Sequence, residues 1–301
     1  MSNAQVVAVA PSWRDYFELC KPKVVALILL TAVVGMFLAV PGMVPLDILI
    51  LGTLGIGMAS GAAAVVNHVV DAKIDAKMSR TINRPVATGM VDPRSALIFG
   101  AVLACSSMLI LAVWINLLTA VLTFFGLVGY AFIYTMYLKR ATPQNIVVGG
   151  LSGAIPPLLG WVAVTGDNGQ IPAEALLLVL IIFVWTPPHF WALAIHRKDE
   201  YAKADIPMLP VTHGIEFTKI NIIFYTVLLL LATLLPFLIQ MFGLIYLLGS
   251  TALGIIFLVY AFRMKFADRP GLAMETFGFS IVYLMLLFIV MLVDHYFPIY
   301  L

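Results

Sequence analysis

LDILILGTLGIGMASGAAAVVNHVVDAKIDAKMSRTINRP, residues 46–85, begins as an apolar run and ends as a ladder of charge. Residues 46–66 have the length and composition of a helix that crosses a bilayer, which takes roughly 17–25 apolar residues. From Asn67 the character changes. Asn67, Asp71 and Asp75 recur at four-residue intervals, followed by Lys77, Arg80 and Arg84. On a helix four residues turn through about 400°, so the three oxygen-bearing side chains share one face roughly 6 Å apart. Hard oxygen donors beside a basic cluster suit a magnesium ion that carries a phosphate. Asn67, Asp71 and Asp75 are therefore the candidate metal ligands, and Lys77, Arg80 and Arg84 the candidate partners of a departing diphosphate. A solvated helix end would carry similar charges, so the case needs a second observation.

The whole chain extends the pattern. Its 301 residues are 62% hydrophobic and 11% charged, with mean hydropathy +1.06. That composition excludes an ordinary soluble domain. Apolar spans near 24–40, 46–66, 95–114, 117–137, 145–165, 174–195, 221–240, 244–262 and 275–296 predict an all-α integral membrane protein of about nine helices, read as one domain. Alternate loops assigned to opposite sides place all 17 Lys and Arg residues on the same side. The rule that positive loops stay inside then gives a cytoplasmic N-terminus (1–23) and an external C-terminus; a bacterial inner membrane is the expected location. No basic tail or charge run suggests nucleic acid, and the first helix is expected to act as its own insertion signal. Cys20 and Cys105 read as unpaired packing residues.

The second observation is IHRKDEYAKADIPMLP, residues 195–210, again at the inner end of a span. Asp199 and Lys203 are four apart, as are Tyr201 and Asp205. The spacing predicts one face that offers carboxylate, phenol and ammonium together, with Asp199 as a further metal ligand. Two charged inner loops, 67–94 and 196–220, thus flank one site. Glycines and serines in the second and fifth spans, with proline pairs at 156–157 and 187–188, predict bent, closely packed helices around a central cavity open near the cytoplasmic face. His189 and His196 lie seven residues apart, near one helix face. An intramembrane histidine such as His189 needs a partner.

These residues match a known family. Asn67-x-x-x-Asp71-x-x-x-Asp75 at the end of a second span resembles the first aspartate-rich motif of UbiA-type intramembrane prenyltransferases. The longer run Asp71 to Pro85, with KPKVVALILLTAVVG (21–35), SGAIPPLLGW (152–161) and TPPHFWALAIHRKDEYAKADIPMLPV (186–211), resembles the haem-farnesylating branch of that family. The resemblance implies transfer of farnesyl from farnesyl diphosphate to the 2-vinyl group of haem B, with addition of water, to give haem O and diphosphate. It implies Mg²⁺, and a downstream haem A synthase or terminal oxidase assembly factors as partners. Within it His189 and His196 are candidates for the haem iron or a propionate, and Lys139, Arg140 and Arg197 for the propionates. Two departures from the wider family stand out: His68 follows Asn67 where aromatic-acid prenylating relatives have aspartate, and a repeated D-x-x-x-D is missing from the second motif. A quinone- or chlorin-prenylating relative is the nearest alternative, and 186–211 argues against it. A transporter is the alternative of a different class, and the clustering of charge at one membrane face argues against that.

Overall fold

A computed structural model describes residues 10–166, 169–267 and 269–300. All regular structure in them is helical, with no strand among the described residues. A short α1 (Trp13–Leu19) leads into α2 (Pro22–Leu38) across a 54° bend. Lys21 forms the bend with a left-handed backbone, φ 52°. The residue before a proline is pushed out of the helical region, and Pro22 itself is well suited to a first helical turn, so the break lies where the sequence dictates. Then follow α3 (Leu46–Asp75), α4 (Pro93–Ile115), α5 (Leu117–Ala141), α6 (Asn145–Thr165) and α7 (Ala173–His196). After the small helices α8 (Lys198–Lys203) and α9 (Leu209–Thr212) come α10 (Gly214–Leu238), α11 (Leu244–Phe266) and α12 (Leu272–Tyr296). Among the described residues eight of these are long and apolar enough to span a membrane alone, or nine if the bent α1–α2 pair is one span, in keeping with the expectation of about nine.

Three departures from regular helix shape the bundle. The last five residues of α4 and residues Gly129–Leu138 of α5 are π-helical. The wider π turn shifts the face on which later side chains emerge. The proline pairs behave differently from each other: α6 breaks between Ala154 and Pro156, whereas α7 runs without interruption through Pro187 and Pro188. The expected bend is thus realised as a break in α6 alone.

α7 is the central helix, packed by α6, α10 and α12; α2 lies on the second half of α6, and α3 packs against α4. Small residues set these distances. A methyl group added at Gly160 would fall on the Ala32 carbonyl oxygen, and one at Gly35 on that of Pro157. The two helices approach closely because both positions lack a side chain, which is how helices gain packing energy where lipid offers no hydrophobic drive. Large apolar side chains such as Leu54, Phe125 and Ile255 face outward, as a hydrocarbon environment permits.

α3 delivers the site. Its 30 residues make about 45 Å of helix at 1.5 Å per residue, more than the ~30 Å hydrocarbon core. Its final turns therefore reach the membrane boundary.

Candidate active site

The ladder forms as its spacing predicts, and it is buried. Asn67, Asp71 and Asp75 are each less than 5% exposed. Asn67 Nδ2 donates to Asp71 Oδ2 at 2.8 Å, one turn along the helix. Each rung is also engaged by a group from elsewhere in the chain. Lys21, at the α1–α2 bend, donates to Asn67 Oδ1. Lys139 Nζ lies 2.6 Å from Asp71 Oδ2, and Arg84 Nη1 lies 2.7 Å from Asp75 Oδ2. Thr135 Oγ1 is 3.3 Å from Asn67 Nδ2 and donates to the Tyr130 carbonyl at 2.8 Å, inside the π-helical segment. Three cations thus face two carboxylates at one end of the bundle, where α2 begins and α3 and α5 end. Their formal charges leave the cluster positive, a setting for an anion.

The resemblance offers Lys139 to the haem propionates; in the structure it lies on Asp71. Lys21 and Thr135 were not singled out as site residues. Both contacts span distant sequence, 46 and 68 residues respectively, so only the polar type of each residue at the inner end of an apolar span signalled them. His68 lies beside Asn67, 2% exposed, with neither ring nitrogen hydrogen-bonded among the described residues.

The second cluster divides. Tyr201 is buried, while Asp199, Lys203 and Asp205 are exposed. Asp205 lies beyond the end of α8 with a left-handed backbone, φ 55°, so the expected helical Tyr201–Asp205 pair and the shared face do not form. Burial pushes the Tyr201 phenol above its ordinary pKa, with Arg80 and Arg197 pulling the other way. Arg80, itself exposed, is thereby placed near Tyr201. Lys77 Nζ stands 3.8 Å from Asp205 Oδ2, so the two inner loops do meet. Arg197 pairs with Glu200 at 2.6 Å. Arg140 donates to the Val70 carbonyl at 3.4 Å and lines a cavity of about 590 Å³ with Lys73 and Asp205. That cavity lies beside α3 against Val69 and Val70, not on the ladder. His189 is part of a stacked aromatic group in α7, and His196 is exposed at its end.

No group of three or more His, Cys, Asp or Glu side chains gathers closely enough to hold a metal among the described residues. Asp199 is not brought to the ladder. What the ladder does offer is a buried oxygen, Asp71 Oδ1, without a hydrogen-bond partner among the described residues. An orphaned carboxylate oxygen beside a second carboxylate and an amide fits magnesium, which takes one or two carboxylates and completes its shell with waters and substrate phosphate.

The fold, the ladder and the charge at one end define a class, and comparison with known proteins agrees. Residues 28–292 match the UbiA prenyltransferase family, and the chain belongs to that family. Its relatives include "Protoheme IX farnesyltransferase" of Saccharophagus degradans, 63% identical, covering 94% of this chain and 93% of the relative. "Protoheme IX farnesyltransferase 2" of Pseudoalteromonas atlantica is 65% identical over 94% and 92%. Among solved structures, a UbiA homologue from Aeropyrum pernix superposes with TM-score 0.72 at 19% identity, covering 89% of this chain and 96% of that one. A UbiA homologue from Archaeoglobus fulgidus bound to GPP and Mg²⁺ gives 0.60 at 17% identity, covering 92% and 99%. These two show the shared fold.

Proposed function

We propose that this chain transfers the farnesyl group of farnesyl diphosphate to the 2-vinyl group of haem B, with addition of water, to give haem O. The carrying observation is identity above 60%, over more than nine-tenths of both chains, to proteins named for that activity. The buried ladder with its three cations supplies a site for the diphosphate. Asp71 and Asp75, with Asn67, would hold Mg²⁺, which neutralises phosphate charge and so eases departure of the diphosphate. Lys21, Lys139 and Arg84 offer N–H groups to the oxygens of the leaving group. Preorganised donors of this kind act where charge develops, in a setting with little water. Lys77 and Arg80, on the exposed continuation, guide the anion inward.

As the C1–O bond of farnesyl diphosphate breaks, the terminal vinyl carbon of haem forms a bond to C1. The positive charge then rests on the other vinyl carbon, water adds there, and a proton is released. The bundle interior suits both partners, since each is an apolar body with an anionic end. Arg140 and Arg197, at the same end of the molecule, are offered to the haem propionates. The positive-inside rule favours the cytoplasmic side for that end, and the membrane proposed is a bacterial inner membrane. The chain acts as one unit, with 67–94 and 196–220 as its active-site loops, and hands haem O to a haem A synthase or terminal oxidase assembly factors.

The test is incubation of the detergent-purified protein with haem B, farnesyl diphosphate and Mg²⁺, with products weighed by mass spectrometry. A haem gaining one farnesyl group and one water is expected from the wild type. Asp75→Asn is expected to remain folded and lose at least about 100-fold in rate. An unmodified haem from the wild type, with both substrates bound, would overturn the proposal.

A further inference from the structure

His189 sits in α7 in a setting that fixes its tautomer. Ser280 Oγ, in α12, donates to the Phe277 carbonyl at 2.6 Å. A carbonyl only accepts, so the hydroxyl proton of Ser280 is committed there. The same oxygen lies 2.6 Å from His189 Nδ1. It has only a lone pair left to offer, so Nδ1 carries the imidazole proton and Nε2 carries the free lone pair. Trp185 Nε1 donates to the Ser280 carbonyl at 2.9 Å and holds this turn of α12 in place. The imidazole is clamped in plane between Trp185, at 4.2 Å and 18°, and Phe277, at 4.6 Å and 26°. A ring whose N–H is anchored, and whose other nitrogen has no hydrogen-bond partner among the described residues, is the arrangement that orients metal-ligating histidines.

The ring also points the right way. Leu180 is exposed on α7, and His189 follows it by nine residues, about 900° of turn, which is the opposite face of the helix. The imidazole therefore faces into the bundle, yet it is only partly buried. Among the described residues Ser280 is its one hydrogen-bond partner, and no charged group bonds to it, as a proton path would require. No other His, Cys, Asp or Glu completes a metal cluster with it among the described residues. A lone imidazole cannot hold a free metal ion. It suits an iron whose four equatorial positions are already filled by porphyrin nitrogens and which needs one axial ligand.

We infer that His189 Nε2 is the axial ligand that seats the iron porphyrin in the bundle, with Ser280 as the residue that positions it. The inference rests on the proposed function for its choice of porphyrin. His196, exposed at the end of the same helix and without this anchoring, is not the ligand.

The test is titration of the purified full-length protein with haem B in detergent, without farnesyl diphosphate, followed by absorption, electron paramagnetic resonance and resonance Raman spectroscopy. A histidine-ligated spectrum is expected from the wild type and from His196→Ala. His189→Gly is expected to lose it and to regain it with added imidazole. Ser280→Ala keeps the ring and removes its anchor, and is expected to weaken haem binding by about 10-fold or more. His189→Met, which preserves bulk, is expected to give a different axial signature. A histidine-ligated spectrum retained in both His189 variants, or absent from the folded wild type, would overturn the inference. Farnesylation is read separately: wild type that binds haem through His189 but yields no product would refute the reaction and leave the ligand standing. Turnover with an unchanged His189→Gly spectrum would do the reverse.

Discussion

At the scale of single residues, the active end is an ion-pair arrangement in which position along the chain says little about proximity. Asn67, Asp71 and Asp75 were legible because a helix converts four-residue spacing into a common face. Arg84, in the same stretch, was legible with them, but Lys21 and Lys139 were not read as their partners, because both arrive from distant segments. A sequence pattern reports neighbours on one element, whereas these contacts depend on how elements are placed. The same limit explains Asp199, Tyr201, Lys203 and Asp205. Four-residue spacing predicted a common face, but α8 ends at Lys203 and the chain turns left-handed at Asp205. Lys139 tests the assignment. Lys139→Met keeps the length of the side chain and removes the charge beside Asp71, and turnover is expected to fall by about 100-fold. The measurement is product formation at saturating haem across a series of farnesyl diphosphate concentrations. A rate within about 3-fold of wild type would exclude Lys139 from the diphosphate site.

At the scale of elements, irregular helices do the positioning. The π-helical segment of α5 ends at Leu138, immediately before Lys139. A change of turn width there carries Thr135 and Lys139 to the face that meets α3, which a 3.6-residue period read through 117–137 would not give. The apolar lengths predicted the spans, since hydropathy alone controls what can sit in hydrocarbon. Hydropathy does not record local turn width, so the π segments stayed hidden. Close packing is the second determinant. Gly160→Ala is expected to push α6 off the Ala32 carbonyl of α2 and cost about 1–3 kcal/mol, seen as a lower melting temperature in detergent. Gly278→Ala is the matched comparison, because a methyl group there meets nothing within 4 Å. Equal melting temperatures for the two variants would show that the α2–α6 contact is not limiting.

At the scale of the whole molecule, the placement of charge was the most legible feature. Every Lys and Arg was assigned to one side of nine spans, and contacts such as Lys77 with Asp205, Lys139 with Asp71 and Lys265 with Glu216 join distant segments at that end. The meeting of the two inner loops follows from that asymmetry; the division of labour between them does not. In the fold the first loop carries the buried ion pairs and the second presents mainly exposed charge. One prediction belongs to this scale. The ladder carboxylates are already neutralised by the chain's own side chains, so metal is not needed to hold the fold. Removal of divalent ions with a chelator is expected to abolish turnover while leaving the melting temperature of the substrate-free protein in place. A large fall in melting temperature on chelation would mean that metal is part of the architecture. The ion pairs on Asp71 and Asp75 have one last consequence, for the rhythm of turnover. On the proposed reaction, Lys139 and Arg84 rest on carboxylates between cycles, so an arriving diphosphate would trade places with Asp71 and Asp75 instead of filling an unbalanced hollow. When the diphosphate departs, the same carboxylates are waiting to reclaim the two cations, and this return competes with the product for its grip. Release is thereby assisted by the groups that helped binding, a reset built into the resting protein.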